Sequence, residues 1–318
     1  MGEFLTQFSF SFTVTGPIFL MLALGIALKH WEIINEAFIQ SGSKLVFTVT
    51  LPTLLFLNLI NTDIHRLGSG SLYLFAALAN VIIFLLFETL AGKMIKEPNE
   101  RGGVVQGAFR ANTGIIGLAY VANAYGDSGI AVGALYVAVI TVLYNIMAVI
   151  TLSRSSAASA SLDHRYVFKA ILKNPLIIGI CSALPFTVLE IRLPEVLMQS
   201  GRYFADMTLP LALLCTGASL DLRQLKQESS HANLSSIARL IIAPGLITLA
   251  GYIYGFRGNE LGIIFLMSAA PTAAASYVMA RAMGANANLA ANIIAMTTVG
   301  SMFTCSLGLT LLKTLNII

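Results

Sequence analysis

Residues 110–114 read Arg-Ala-Asn-Thr-Gly inside an apolar run at 103–125, and residues 269–272 read Ala-Ala-Pro-Thr inside another at 260–283. A guanidinium, an amide and a hydroxyl are expensive to place in lipid, and the residues beside them weaken helices. Glycine loosens a helix, while proline lacks an N–H and clashes with the preceding turn. Where a helix breaks, its second half starts with unpartnered N–H groups at the positive end of a dipole. Asn112 or Thr113 can cap one such start, and Pro271 suits the first turn of the other. Two positive ends meeting away from water make an anion site, framed by Asn112, Thr113, Gly114, Pro271 and Thr272. Arg110 either adds formal charge there or snorkels to an interface about five residues away.

The other polar residues point the same way. Aspartate and glutamate are almost confined to loops, with Glu88 and Asp206 as exceptions near the ends of their runs. Both are read as interfacial, with a coupling role as the alternative. Since no carboxylate stands at the middle of the runs around 103–151 or 260–312, an anionic cargo fits better than a cation held by acids. Hydroxyls such as Thr50, Thr141, Thr208, Thr216, Thr297 and Thr298 are expected to bond backbone carbonyls or neighbouring helices. Buried amides cost more to hide, so Asn145, with Tyr144 and Asn58, is expected to line the pocket beside Asn112.

Enzyme chemistry finds no support. His30, His65, His164 and His231 fall in loops or at span ends, without an HExxH set, a facing acid pair or a Ser/His dyad. Cys181, Cys215 and Cys305 lie within apolar runs and have neither CxxC nor Cys/His ligand spacing. No metal and no cofactor are expected; whether a proton or sodium couples to transport stays open.

The elements that must position these residues follow from composition. Of 318 residues 57% are hydrophobic and only 11% charged, and the mean hydropathy is +0.81, far outside the soluble range. Apolar runs recur near 12–29, 43–61, 71–92, 103–125, 129–151, 167–188, 202–220, 234–255, 260–283 and 288–312. Each can cross a hydrocarbon core of roughly 30 Å, so the expected fold is an all-α integral membrane protein of ten spans. The strict alternation of a β-barrel strand is missing from these runs. The first run has no basic segment before it and no small-residue cleavage motif after it, and is expected to be retained as a span. The net charge of +4 is scattered through short loops, which argues against nucleic acid.

Displacing the chain by 158 residues lays one half on the other without a gap. Pro17 meets Pro175; Thr50-Leu51-Pro52 meets Thr208-Leu209-Pro210; Leu55 meets Leu213; Asp63-Ile64 meets Asp221-Leu222; Gly126 meets Gly284. The expected organisation is a first five-helix repeat at 1–152, a cytoplasmic linker at 153–166 and a second repeat at 167–318. Five is odd, so the second copy inserts upside down, an architecture of secondary transporters with discontinuous helices near the midplane. Asn112-Thr113-Gly114 then falls on Ala270-Pro271-Thr272, and spans 4 and 9 are expected to break and cross. Pro52 and Pro210 are the other expected helix breaks.

With the N-terminus outside, the inside loops hold Lys29, Lys44, Lys93, Lys96, Arg101, Arg154, Arg165, Lys169, Lys173, Arg223, Lys226, Arg239 and Arg281. The outside loops then hold Arg66, Arg192, Arg202, Arg257 and Lys313. Thirteen against five is a positive-inside bias, which places both termini on the non-cytoplasmic side.

The chain resembles the auxin efflux carrier family, which includes plant PIN carriers and bacterial transporters of small carboxylates, within the wider superfamily of bile acid:sodium symporters. The similarity is carried by Asn112-Thr113, Gly117 and Tyr125-Gly126 in span 4, by Ala270-Pro271 and Ala280-Arg281 in span 9, and by Pro52 and Tyr144. It implies a scaffold of spans 1, 2, 6 and 7, a moving domain of spans 3 to 5 and 8 to 10, elevator-like alternating access and a homodimer. Two departures bear on cargo. Ala119 stands where the plant carriers have a second proline, and no asparagine sits beside Pro271, so auxin is not the expected cargo. The long cytoplasmic loop of many plant members is also absent. Span 9 has only Glu260, at its outer mouth, where the symporter branch uses an acidic residue for sodium.

The expected function is a secondary active transporter of a small organic anion, a carboxylate, in a bacterial inner membrane. The alternatives are a cation- or proton-coupled antiporter, or a sodium-coupled symporter, of similar architecture.

Overall fold

A computed structural model describes residues 2–61, 70–155, 175–189, 191–220 and 230–318. Asp63, Ile64, His65 and Arg66 lie outside the described residues, as do His164, Arg165, Lys169, Lys173, Asp221, Leu222, Arg223 and Lys226. Most of the linker at 153–166 and the start of the sixth apolar run lie outside them too.

The described residues form helices: α1 (Gly2–His30), α2 (Glu36–Ile60), α3 (Gly70–Met94), α4 (Pro98–Phe109), α5 (Leu118–Ser155), α6 (Pro175–Val188), α7 (Glu195–Ser219), α8 (Ser230–Tyr254), α9 (Gly258–Ser268), α10 (Ala275–Ala282) and α11 (Ala287–Thr314). Among the described residues, six stretches are long and apolar enough to cross a membrane: Ser11–His30, Glu36–Ile60, Gly70–Met94, Thr113–Arg154, Ser230–Tyr254 and Ala287–Thr314. The 42-residue stretch is two legs, because Gly126 adopts φ 61° and ψ −151° inside it. That backbone region is essentially closed to residues with a Cβ.

α3 shows why lipid is the solvent. Leu74, Leu78, Ile82 and Leu85 form one helical stripe, each more than half exposed, while Leu72, Ala76, Ala79, Ile83 and Phe87 are buried on the other side. A helix apolar on both faces, with one face uncovered by protein, suits a hydrocarbon environment and not water.

Two groups of helices pack among themselves. α1, α2, α6 and α7 form one group; α3, α4, α5, α8, α9, α10 and α11 form the other, with α1 against α5 and α11, and α2 against α5, along the seam. In the first group α1 and α7 touch at the backbone. A Cβ on Gly25 would run into the Leu214 carbonyl, and one on Gly217 into the Leu22 carbonyl. Small residues permit this approach, which is how membrane helices gain packing without a hydrophobic drive between them.

Pro52 and Pro210 do not break their helices, contrary to the sequence expectation. Upstream of Pro52, α2 widens into a π turn at Val46–Thr50, where the Leu51 N–H reaches the Val46 carbonyl, and the helix continues to Ile60. The same device precedes Pro244 in α8, with a π turn at Ala238–Ile242. α7 runs through Pro210 from Glu195 to Ser219, held by α1 and α2 on its flanks. Neighbouring helices and local π adjustment are what make proline tolerable at membrane depth.

Candidate functional site at the meeting of two interrupted helices

α4 stops at Phe109, and helical structure resumes only with a π turn at Thr113–Gly117 that leads into α5. α9 stops at Ser268, and α10 starts at Ala275. The two gaps lie against each other. Ala111 and Thr272 form an isolated antiparallel bridge, in which the Asn112 N–H donates to the Pro271 carbonyl at 2.7 Å and the Ala273 N–H to the Arg110 carbonyl at 2.9 Å. Buried backbone groups must be paired, and here each gap pairs the other's.

Thr272 fastens the crossing to its surroundings. Its N–H donates to the Thr297 hydroxyl at 3.1 Å, and its own hydroxyl donates to the Gly107 carbonyl at 2.7 Å, so one residue joins α4, α11 and the second gap. Thr272, expected to frame the cargo, thus commits its hydroxyl to structure. Gly107 is forced to be small, since a Cβ there would meet the Ser235 hydroxyl and Ile293 below 3.0 Å.

Arg110 is 7% exposed, enclosed by protein. Its Nη2 donates to Asn145 Oδ1 at 2.8 Å, and Nη1 lies 2.8 Å from Met279 Sδ. The structure thus brings Arg110 and Asn145 together, on α4's end and α5. Met279 on α10 and Gln106 on α4 complete this corner; Gln106 Nε2 lies 3.8 Å from the same sulfur, and its Oε1 is buried without a partner. No described carboxylate pairs with Arg110, and both its partners are neutral.

Asn112 and Thr113 are buried beside the start of the π turn, and the Asn112 side chain makes no capping bond. Gly114 has open space, with only Val137 near a notional Cβ at 3.9 Å. Tyr144 is at the crossing: its ring packs on Phe109 with centroids 5.6 Å apart, and its hydroxyl donates to Asn80 Oδ1 at 2.9 Å and lies in hydrogen-bond reach of the Ala111 backbone and of Arg239. Asn58 is on α2, in the other group of helices, where its amide donates to the Leu54 carbonyl at 2.8 Å.

Arg239 was expected in a loop. It is 1% exposed, within the π turn of α8. Its Nη1 donates to the Phe109 carbonyl at 2.7 Å and its Nη2 to the Ser268 carbonyl. Those oxygens end α4 and α9, the two half-helices that stop at the crossing. Tyr136 and Tyr144 lie within its electrostatic reach. A charge in an apolar run is the same signal that singles out Arg110; Arg239 sits near the run's edge, which is why it reads as a loop residue. Asn80, 2% exposed at mid-run in α3, carries the same signal.

The two acids flagged by sequence lie away from the crossing. Glu88 accepts the Thr151 hydroxyl at 2.6 Å and lies 3.6 Å from Arg154, joining the ends of α3 and α5. Asp206 is on the exposed side of α7. Among the described residues, no group of three or more His, Cys, Asp or Glu could hold a metal ion.

Buried cations, paired helix gaps and an apolar exterior define a polytopic membrane protein. Residues 10–309 match the family described as membrane transport protein, and the chain belongs to it, the auxin efflux carrier family. It is 23% identical over 303 residues to an uncharacterised transporter of Methanothermobacter thermautotrophicus, covering 90% of this chain and 93% of the other. It is 25% identical over 305 residues to an uncharacterised transporter of Methanocaldococcus jannaschii, covering 91% and 95%.

Proposed function

We propose that this membrane transporter carries a small organic anion, a carboxylate, bound at the crossing of the interrupted helices. The observation that carries the reading is Arg110: a buried guanidinium bonded to an amide oxygen and a thioether, with no described carboxylate to balance it. A buried cation with neutral partners is incompletely compensated, and an incoming carboxylate supplies the missing charge. Asn112, Thr113 and Gly114 stand next to it at the start of a helix, whose positive end favours the same sign. Pro271 and Thr272 hold the opposite wall, and Asn145 orients the guanidinium.

The architecture in this reading is ten spans in two inverted five-helix repeats, 1–152 and 167–318, joined at 153–166. Element boundaries support it. Displaced by 158 residues, α2 falls on α7, α3 on α8 and α4 on α9, each within two residues, and Gly126 and Gly284 both take positive φ. The helix group containing the crossing moves against α1, α2, α6 and α7 in an elevator-like cycle. The carrier sits in a bacterial cytoplasmic membrane as a homodimer, with both termini on the non-cytoplasmic side.

The test is a melting-temperature screen of the purified protein against mono- and dicarboxylates, with and without sodium. A ligand that binds the native state raises the melting temperature. A saturable rise with one carboxylate, lost in Arg110→Gln, supports the reading; equal rises in wild type and Arg110→Gln overturn it.

A further inference from the structure

The anion reading makes no use of Arg239. This guanidinium stands between the C-terminal ends of α4 and α9 and donates to the last carbonyl of each, Phe109 and Ser268. Its Nε has no partner among the described residues, and no described carboxylate pairs with it. Its partners are therefore uncharged: the two helix-end carbonyls, with the Tyr144 hydroxyl in hydrogen-bond reach and Tyr136 close by. A helix C-terminus carries about half a negative charge, and two of them balance about one unit, which is what one guanidinium supplies. Carbonyl oxygens at the C-terminal ends of discontinuous helices are also the ligands that coordinate sodium ions or protons in carriers.

We infer that Arg239 is a tethered cation filling a carbonyl site that a sodium-sized ion would otherwise take, so that the carrier needs no coupling metal ion at its crossing. α8, which bears Arg239, packs against α3, α4, α9 and α11. The charge therefore belongs to the same group of helices as the two carbonyl ends and stays with them through any displacement of that group. A diffusible ion has to be bound and released on each cycle, whereas this one is covalently retained. Arginine suits the place because it keeps its charge when buried and its planar fork reaches two acceptors at once.

The inference presumes a carrier but not a particular cargo, and its test needs no cargo. The full-length protein in detergent is melted in sodium, lithium, potassium or choline chloride at constant ionic strength. Wild type, Arg239→Lys, Arg239→Gln and Arg239→Ala are compared. The expected wild-type melting temperature is the same in all four salts. Arg239→Lys stays nearer to wild type than Arg239→Gln, and Arg239→Ala melts lowest in choline, with a saturable rise in a small alkali cation. A saturable sodium response of the wild type overturns the inference. So does equal melting of the Lys and Gln variants, because packing alone would then explain the site. If Arg239→Ala cannot be purified, the wild-type salt series and the Lys/Gln pair still decide. A purified Arg239→Ala that gains nothing from any alkali cation counts against the site as well. Loss of carboxylate binding in the cargo screen leaves all these outcomes untouched, so the two readings fail separately.

Discussion

The backbone N–H of Asn112 donates to the carbonyl of Pro271 at 2.7 Å, so the amide side chain of Asn112 plays no part in holding the two gaps together. Contact and structure are thereby separable at this residue.

Asn112→Ala is expected to fold, with stability lowered by no more than about 1 kcal/mol, because the bond to Pro271 uses main-chain atoms. Binding of the carboxylate found in the melting screen should fall about tenfold or more, the usual loss for one charge-assisted hydrogen bond. Wild-type affinity in this variant, measured by calorimetry, would remove Asn112 from the site.

At Arg110 the conservative substitution is informative. Lys keeps the charge but not the fork that reaches Asn145 and Met279 together. Arg110→Lys should retain part of the carboxylate response and Arg110→Gln none. The order of the two dissociation constants checks this, and a Gln variant binding as well as the Lys variant contradicts it.

Glu88 is held by Thr151 and faces Arg154, whose side chain is largely exposed. An ion pair open to solvent on one side contributes about 0–1 kcal/mol. Glu88→Gln should therefore cost little stability and leave the pH dependence of uptake in proteoliposomes as it is in wild type. A flattened pH profile would move Glu88 into the coupling machinery and favour a proton-coupled exchanger.

The contact between α1 and α7 leaves no room for a methyl group at Gly217, where Leu22 main-chain atoms block the Cβ position. Gly217→Ala should lower stability by about 1–3 kcal/mol, the range for overpacking a close contact. By contrast, Gly245→Ala, with nothing near its notional Cβ, should leave the melting temperature nearly unchanged.

Much of the crossing was legible in the sequence because it breaks the grammar of an apolar run. Arg110, Asn112, Gly114 and Pro271 are costly where they stand, and the structure interrupts both segments beside them. Proline alone was a weaker signal. It does not distinguish a break from a helix that absorbs it in a π turn, as α2 does before Pro52, or one that runs through, as α7 does at Pro210. Arg239 carried the right signal in a place where charge also means a loop, and only the tertiary fold shows its guanidinium on the Phe109 and Ser268 carbonyls. The acceptor of the Thr272 hydroxyl lies 165 positions away at Gly107, a distance over which no local pattern speaks.

The bridge between Ala111 and Thr272 also sets an order of assembly. On a ribosome the earlier gap emerges with its amide and carbonyl groups open, and the strand that closes it follows more than a hundred residues later. The centre of this carrier thus cannot close before its second half is made, and a nascent chain halted ahead of Pro271 would hold an unsealed, water-seeking notch inside the bilayer.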